Sequence, residues 1–393
     1  MTRGRHVPWW VVPLVIFAAT RVLGALLIVL VARDQIPASQ LPADIPLPTL
    51  VDPASYLHVI ANWDGQWYRL VAAHGYPTDL PSSHGVVQQN AWAFYPLFPA
   101  LVRLVMVPGL SFGLAASVVS VACGGAAMCL LYRMLVAGTG RYTAALTVLA
   151  LCSAPAAPIF QAAYTESLAF LLVLVVLWAL QQDRYVVLAL AGIAVSLTRG
   201  IAPALVVVVA WEYLRRRRAE ESFPAADRRG LLLSGLVVAL SALVWPIVVG
   251  VMTGDASAYW KTQKAWATVA GNDADSWLVS LPHSPGRAVV VVGGLCLLVL
   301  ACLRARSWPR VLRMWPVPYA LFILAVTPAT ASVLRFSVLL GAPWWPAPEW
   351  SRRLSSPGGR AVLASAVLLV GLALQWWWLR TYFVIDPHSH GHP

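Results

Sequence analysis

"LAFLLVLVVLWAL", residues 168–180, decides the fold class: it carries no charge and shows no alternation. A half-buried strand reads apolar and polar in turn, and membrane β-barrels are built from alternating segments of about ten residues. A helix that is apolar on every side is either buried in a large core or crosses a membrane. Similar runs recur along the chain, at 9–32, 110–132, 142–159, 166–180, 185–198, 201–214, 230–252, 286–303, 315–331, 333–348 and 361–379. They predict about eleven crossings, since a span needs roughly 20 apolar residues. The runs at 185–198, 201–214 and 333–348 are short; short or broken helices are tolerated where they line a cavity. Of 393 residues, 59% are hydrophobic and 11% charged, and the mean hydropathy is +0.71. The expected class is an all-α polytopic membrane protein. It reads as one transmembrane domain over residues 1–380, with a polar tail at 381–393 that reads as disordered.

The formal charge of +12 would suit a nucleic-acid binder, but its distribution does not. Arginines stand between the apolar runs, as membrane topology requires. The dense patch, Arg215, Arg216, Arg217 and Arg218, reads as a cytoplasmic anchor on anionic lipid. With the N-terminus inside, eighteen basic residues fall inside and nine outside, and Arg21 lies within the first span without an assigned role. That bias supports a cytoplasmic N-terminus and an extracytoplasmic C-terminus. The five cysteines all lie in apolar runs, which indicates neither a disulfide framework nor a zinc site. The basic, apolar start reads as a retained anchor rather than a cleaved signal. His388, His390 and His392 have a metal-like spacing, but in a terminal tail they read as low-complexity sequence.

The segment 33–109 is then a large extracytoplasmic loop. Within it Tyr56, Ile60, Trp63, Trp67 and Leu70 are spaced by three and four. This predicts one helix over 54–72, with a second, aromatic-rich segment at 91–106, both lying at the membrane interface. On the first helix Asp64 stands about 80° from the centre of the apolar face. A carboxylate there reaches a cavity under the surface helices, with Trp63, Trp67 and Tyr68 around it. The alternative is a solvated loop aspartate. Glu166 opens an apolar helix on the same side, in the polar setting of Gln161, Tyr164, Thr165 and Ser167. It suits the helix dipole there, with Thr165 or Ser167 as a cap, but ionisable groups at membrane depth are also functional candidates. Arg199 and Arg335 lie at helix joins on the outer side, against the positive-inside rule. Two guanidinium forks and two acids suit an anionic lipid head group; the alternative is that each arginine satisfies carbonyls of a broken helix. Arg199 is expected to have few protein partners. Trp260, Lys261, Lys264 and Trp266 in the loop 253–285 read as interfacial anchors or as a groove lining.

Four stretches in order, "NWDGQWYRLVAAHGY" (62–76), "AFYPLFPALVR" (93–103), "QAAYTESLAFLL" (161–172) and "SLTRG" (196–200), resemble the PIG-V-like mannosyltransferases. These are relatives of GPI mannosyltransferase II with actinobacterial members. Gly65 and Gln66 stand where many relatives carry Ser or Ala and His. Beyond residue 200 only the hydrophobic layout and Arg335 match. The resemblance implies a GT-C-type helical bundle, a polyprenyl-phosphate sugar donor, usually mannose, and Asp64 as the base. On this reading Arg199 and Arg335 meet the donor phosphate, and Glu166 orients the acceptor or tunes Asp64. Trp63, Trp67, Tyr68 and Tyr164 line the substrate site. The acceptor is a glycan, glycolipid or protein hydroxyl. Phosphate is already a competent leaving group, so neither a cofactor nor a metal is required. Two lysines among 28 basic residues fit a GC-rich bacterium and its plasma membrane. The rival reading is a transporter or flippase of lipid-linked molecules, which would share broken helices and buried arginines without needing the loop carboxylate.

Overall fold

The computed structural model describes residues 8–36, 55–219, 223–268, 275–341, 354 and 356–385. Most of the expected C-terminal tail, with its three histidines, lies outside the described residues. The described residues are mostly helical. The helices are α1 (Val11–Val31), α2 (Tyr56–Val59), α3 (Asp64–His74), α4 (Leu97–Met106), α5 (Phe112–Thr139), α6 (Arg141–Cys152), α7 (Glu166–Gln181), α8 (Tyr185–Ser196) and α9 (Ala202–Arg218). They continue as α10 (Ala225–Ser241), α11 (Val244–Thr253), α12 (Ala258–Thr268), α13 (Pro285–Arg304), α14 (Arg310–Met314), α15 (Pro316–Val326), α16 (Ser332–Phe336) and α17 (Pro357–Trp378). A two-residue antiparallel ladder, Ser82–Ser83 with Val86–Val87, lies between α3 and α4.

Helix α7, the stretch apolar on every side, lies between α5 and α8. Phe170, Val173, Leu174, Val176, Leu177 and Leu180 are all buried. A helix without a polar face has no reason to keep one side at the surface, and its even apolar coat packs in every direction. Helix α13 behaves oppositely: Val289, Val290, Leu297, Leu300 and Leu303 are exposed, which in a membrane turns them to lipid. Among the described residues five helical stretches are long and apolar enough to cross a membrane: Val11–Asp34, Phe112–Thr139, Ala225–Thr253, Pro285–Arg304 and Pro357–Phe383. Four more apolar helices are shorter, α4 and α6 to α8. The eleven apolar runs are therefore not eleven uninterrupted spanning helices.

Several expected helices are broken. The helix over 54–72 is two, α2 and α3, because Trp63 takes φ +55°, a region that a bulky residue seldom adopts. The 91–106 segment is a 3-10 turn at Ala91–Ala93, capped by Asn90, followed by α4 after Pro96. The run 142–159 ends as a helix at Cys152 and resumes as a 3-10 turn at Ala157–Gln161. The run 333–348 is α16 and a 3-10 turn at Ser337–Leu340 as far as it is described. The break after α6 explains Arg21. Its guanidinium donates to the carbonyls of Cys152, at 2.8 Å, and Ala157. The Cys152 carbonyl closes α6 and has no partner inside it; Arg21 and Gln375 Nε2 both donate to it.

Helix association in lipid depends on close packing, which small residues permit. Gly371 of α17 lies against the end of α6, where an added Cβ would stand 2.4 Å from the Ser153 carbonyl oxygen. Backbone cannot swing aside as a side chain can. Gly371→Ala is therefore expected to cost about 1–3 kcal/mol through overpacking, seen as a lower melting temperature of the detergent-solubilised protein. An unchanged melting temperature would show that the two helices separate freely at this point.

Candidate active site

The site forms where α3, α7, the α8–α9 junction and α16 meet. The first of these is positioned from behind. Asn62 Nδ2 donates to Gln35 Oε1 (2.7 Å) and to the Phe383 carbonyl (3.1 Å), and Trp63 Nε1 donates to that same carbonyl (3.1 Å). The backbone N–H of Ala163 donates to the Ile60 carbonyl, and the Tyr164 hydroxyl to the Asn62 carbonyl, at 2.9 and 2.8 Å. Residues 60–64 and 162–166 are thus laced together. A Cβ at Gly65 would lie 3.4 Å from the side chain and carbonyl of Ala163, so the two segments meet at ordinary contact distance there. The turn leaves Asp64 as the first residue of α3, where a helix favours an anion.

Glu166 likewise begins α7 and is completely buried. The expected Thr165 or Ser167 cap is not made: Ser167 Oγ donates to the Phe160 carbonyl instead. Glu166 Oε1 accepts from Arg199 Nη1 at 2.6 Å and lies 3.3 Å from Arg335 Nε. Arg199 Nη1 also donates to Thr165 Oγ1 at 3.1 Å. Arg335 Nη1 donates to Asp64 Oδ2 at 2.6 Å. The Arg335 guanidinium lies over the rings of Tyr164 and Phe336, each at 4.9 Å, and Arg199 lies over Phe336 at 4.5 Å. The result is a chain of alternating charge, Asp64–Arg335–Glu166–Arg199, with no net charge. Its two ends are the accessible ones: the Asp64 and Arg199 side chains are 29% and 16% exposed, against 0% for Glu166 and 5% for Arg335. Oε2 of Glu166 is buried without a hydrogen-bond partner.

The four charged residues singled out by sequence are thus brought together, but one expectation is corrected. Arg199 was expected to have few protein partners; it has Glu166, Thr165 and Phe336. The charge demand of a buried guanidinium is visible in sequence, while the helix end that meets it is not. The aromatic residues divide. Trp63 and Tyr68 are buried in the frame, and Tyr164 is buried beneath Arg335. Burial first, and the Asp64 carboxylate next, push the Tyr68 phenol above its usual range, so it stays a neutral hydroxyl. Trp67 is half-buried, stacked on Phe94 at 5.8 Å and edge-on to Trp266 at 5.2 Å. Trp266, in α12, donates through Nε1 to the Asn90 carbonyl, so this residue of the 253–285 loop faces the site region, whereas Lys261 pairs with Asp255 and Trp260 is exposed.

Sequence reading missed Asn62, Phe336 and Tyr319. Asn62 and Phe336 adjoin residues already singled out; Tyr319, which donates to the Phe336 carbonyl at 3.0 Å, stands in an apolar run with nothing local to mark it. The motif "TRG" is held to the aromatic element: Leu97 N–H donates to the Leu197 carbonyl at 2.9 Å, and the space beside Gly200 is filled by the Tyr95 hydroxyl. Phe336 and Tyr319 also open an apolar groove of about 700 Å³ between α13 and α15, lined by Val291, Leu298, Ile323 and Leu324. In the other direction α9 starts beside Arg199 and, as a helix of 17 residues, about 25 Å long, ends in Arg215–Arg218. The cluster and the basic patch lie at opposite ends of that helix.

Fold and site together define a polytopic all-α membrane protein with a neutral acid–arginine cluster at one end of its bundle. No protein-family model matches the chain, and no curated protein matches it. Among solved structures it is similar to the oligosaccharyltransferase of Archaeoglobus fulgidus, crystallised tethered by a disulfide bond to an acceptor peptide containing the NVT sequon. The identity is 12% and the TM-score 0.44, over 96% of this chain and 56% of that one. The chain spans just over half the length of that protein.

Proposed function

We propose that this protein is an integral-membrane glycosyltransferase of the GT-C type. It moves a sugar, mannose by the resemblance of its motifs to the PIG-V-like enzymes, from a polyprenyl phosphate to an acceptor hydroxyl. The reaction takes place on the extracytoplasmic side of a bacterial plasma membrane. One observation carries the reading: two guanidiniums held by one buried carboxylate, beside a second carboxylate that remains partly exposed.

Arg199 and Arg335 receive the phosphate oxygens of the donor, as guanidinium forks do. Negative charge grows on that phosphate as the bond to the sugar breaks, and fixed cations in a water-poor site stabilise it. Asp64 accepts the proton of the acceptor hydroxyl as general base. The hydroxyl oxygen bonds to the anomeric carbon from the face opposite the phosphate, which leaves with its electron pair. A β-linked donor then gives an α-linked product. Glu166 holds both arginines in place. The groove beyond Phe336 has the apolar lining that the prenyl chain of the donor needs. Trp67 and Trp266 form a wall for the acceptor, a glycan, glycolipid or protein, while Trp63, Tyr68 and Tyr164 support the carboxylate and arginines.

The direct test is transfer of labelled mannose from a polyprenyl-phosphate-mannose donor by the purified protein, with membrane glycolipids, glycans or peptides offered as acceptors. Folded protein that transfers no sugar to any of them would overturn the reading. The donor phosphate has its own test. Arg199→Ala is expected to weaken donor binding by roughly 2–5 kcal/mol, the cost of truncating one partner of a buried charge pair. Arg199→Lys should recover only part, because a point charge replaces a fork. The alanine also deprives Glu166 of its partner, so the lysine variant is the cleaner probe. Normal donor affinity in both variants, with lower melting temperatures, would make Arg199 a strut for Glu166 rather than a ligand of the donor.

A further inference from the structure

The charge cluster is already balanced before any substrate arrives: two carboxylates face two guanidiniums. A donor carrying a phosphodiester adds a third anion for the same two cations, so one carboxylate has to give up its share. Glu166 is poorly placed to do so. It is fully buried at the start of α7, and it accepts from Arg199 at 2.6 Å. Moving it would strand a charge away from water, which is costly. Arg335 does not move readily either, since its guanidinium lies over the rings of Tyr164 and Phe336. Asp64 differs on both counts. Among the described residues it has one ion-pair contact, to Arg335, and it is the most exposed of the four side chains. When the contact breaks, the partly exposed Asp64 carboxylate can turn to water, and the arriving phosphate answers the buried Arg335 in its place.

We propose that the phosphate of the lipid donor replaces Asp64 on Arg335, so that the base is masked in the resting enzyme and freed only by the arrival of the donor. The proposal rests on the glycosyltransferase reading above. In the exchange no covalent bond changes: a phosphate oxygen accepts the Arg335 N–H that Asp64 Oδ2 had accepted. The acceptor hydroxyl then donates to the released Oδ2. Its proton passes to Asp64 as the new bond to the anomeric carbon forms and the bond to the phosphate oxygen breaks. Donor therefore binds first, and an acceptor that arrives early meets a carboxylate already engaged.

The experiment measures binding of farnesyl phosphate, a short prenyl monophosphate, to the purified full-length protein in detergent. Asp64→Asn removes the competitor for Arg335 and should bind the phosphate about tenfold more tightly than wild type, a modest value for coupling between close charges. In an Arg335→Gln background the same Asp64→Asn change should bring no such gain. A wild-type protein that fails to bind the phosphate overturns the glycosyltransferase reading and the exchange with it. Binding by wild type without a gain in Asp64→Asn, or an equal gain with Arg335→Gln, overturns the exchange alone. A second measurement needs no variant. Initial rates of the wild-type enzyme should show ordered addition with donor first, and a dead-end acceptor analogue should inhibit uncompetitively against donor. Random or acceptor-first addition would overturn the exchange.

Discussion

Asp64→Asn is expected to stop sugar transfer while leaving the protein folded. Asparagine has the volume of aspartate but cannot take a proton from a hydroxyl. General-base catalysis is worth about a hundredfold or more, so turnover at saturating donor should fall by at least that factor. The fold should survive because Asp64 sits at the partly exposed end of the cluster, and the turn that carries it is held by Asn62, Trp63 and Tyr164 rather than by the carboxylate. The measurement pairs initial transfer rates with melting temperature. A folded variant that kept more than about a tenth of wild-type turnover would remove Asp64 from the role of base.

Glu166→Gln is expected to act on the fold as well as on the reaction. Oε1 of Glu166 accepts from Arg199 and lies near Arg335, so the neutral amide leaves the buried Arg335 and the largely buried Arg199 with only Asp64 to balance them. Breaking a buried ion pair by removing one partner costs about 3–5 kcal/mol. Glutamine still offers an oxygen to Arg199, which places the expected loss near the lower end of that range. The melting temperature should drop clearly and transfer should be lost. Glu166→Asp, which keeps the charge on a shorter arm, should recover part of the stability. If Glu166→Gln melts with wild type, the arginines are balanced by something other than this carboxylate, and the alternating chain is not what holds the site.

The residues of the site were legible in sequence to an unequal degree. Asp64, Glu166, Arg199 and Arg335 each stood out because an ionisable group near an apolar run is expensive. The frame around them did not. Trp63 reads as one more apolar position of a regular helix, and its φ of +55° follows from contacts that fasten Asn62 and Trp63 to the Phe383 carbonyl, some 320 positions away in sequence. Arg21 had no role until the break after α6 placed the carbonyls of Cys152 and Ala157 beside it. Trp266 read as an interfacial anchor or as a groove lining, and only α12 brings it against Trp67 and Phe94.

The sequence by itself determined the class. Unbroken apolar runs decide between membrane helix and strand through local periodicity alone, and the placement of arginines between the runs is equally local. It also determined which side chains carry a charge that has to be answered. The tertiary structure decided who answers it. Glu166 meets Arg199 across 33 positions and Asp64 meets Arg335 across 271, and no local pattern encodes such distances. The pairing follows from which helix ends the packing of α3, α7, α9 and α16 brings together, and that packing depends on shape along whole helices. A buried charge states its need within a few residues of sequence, but its partner is chosen by the arrangement of the entire bundle.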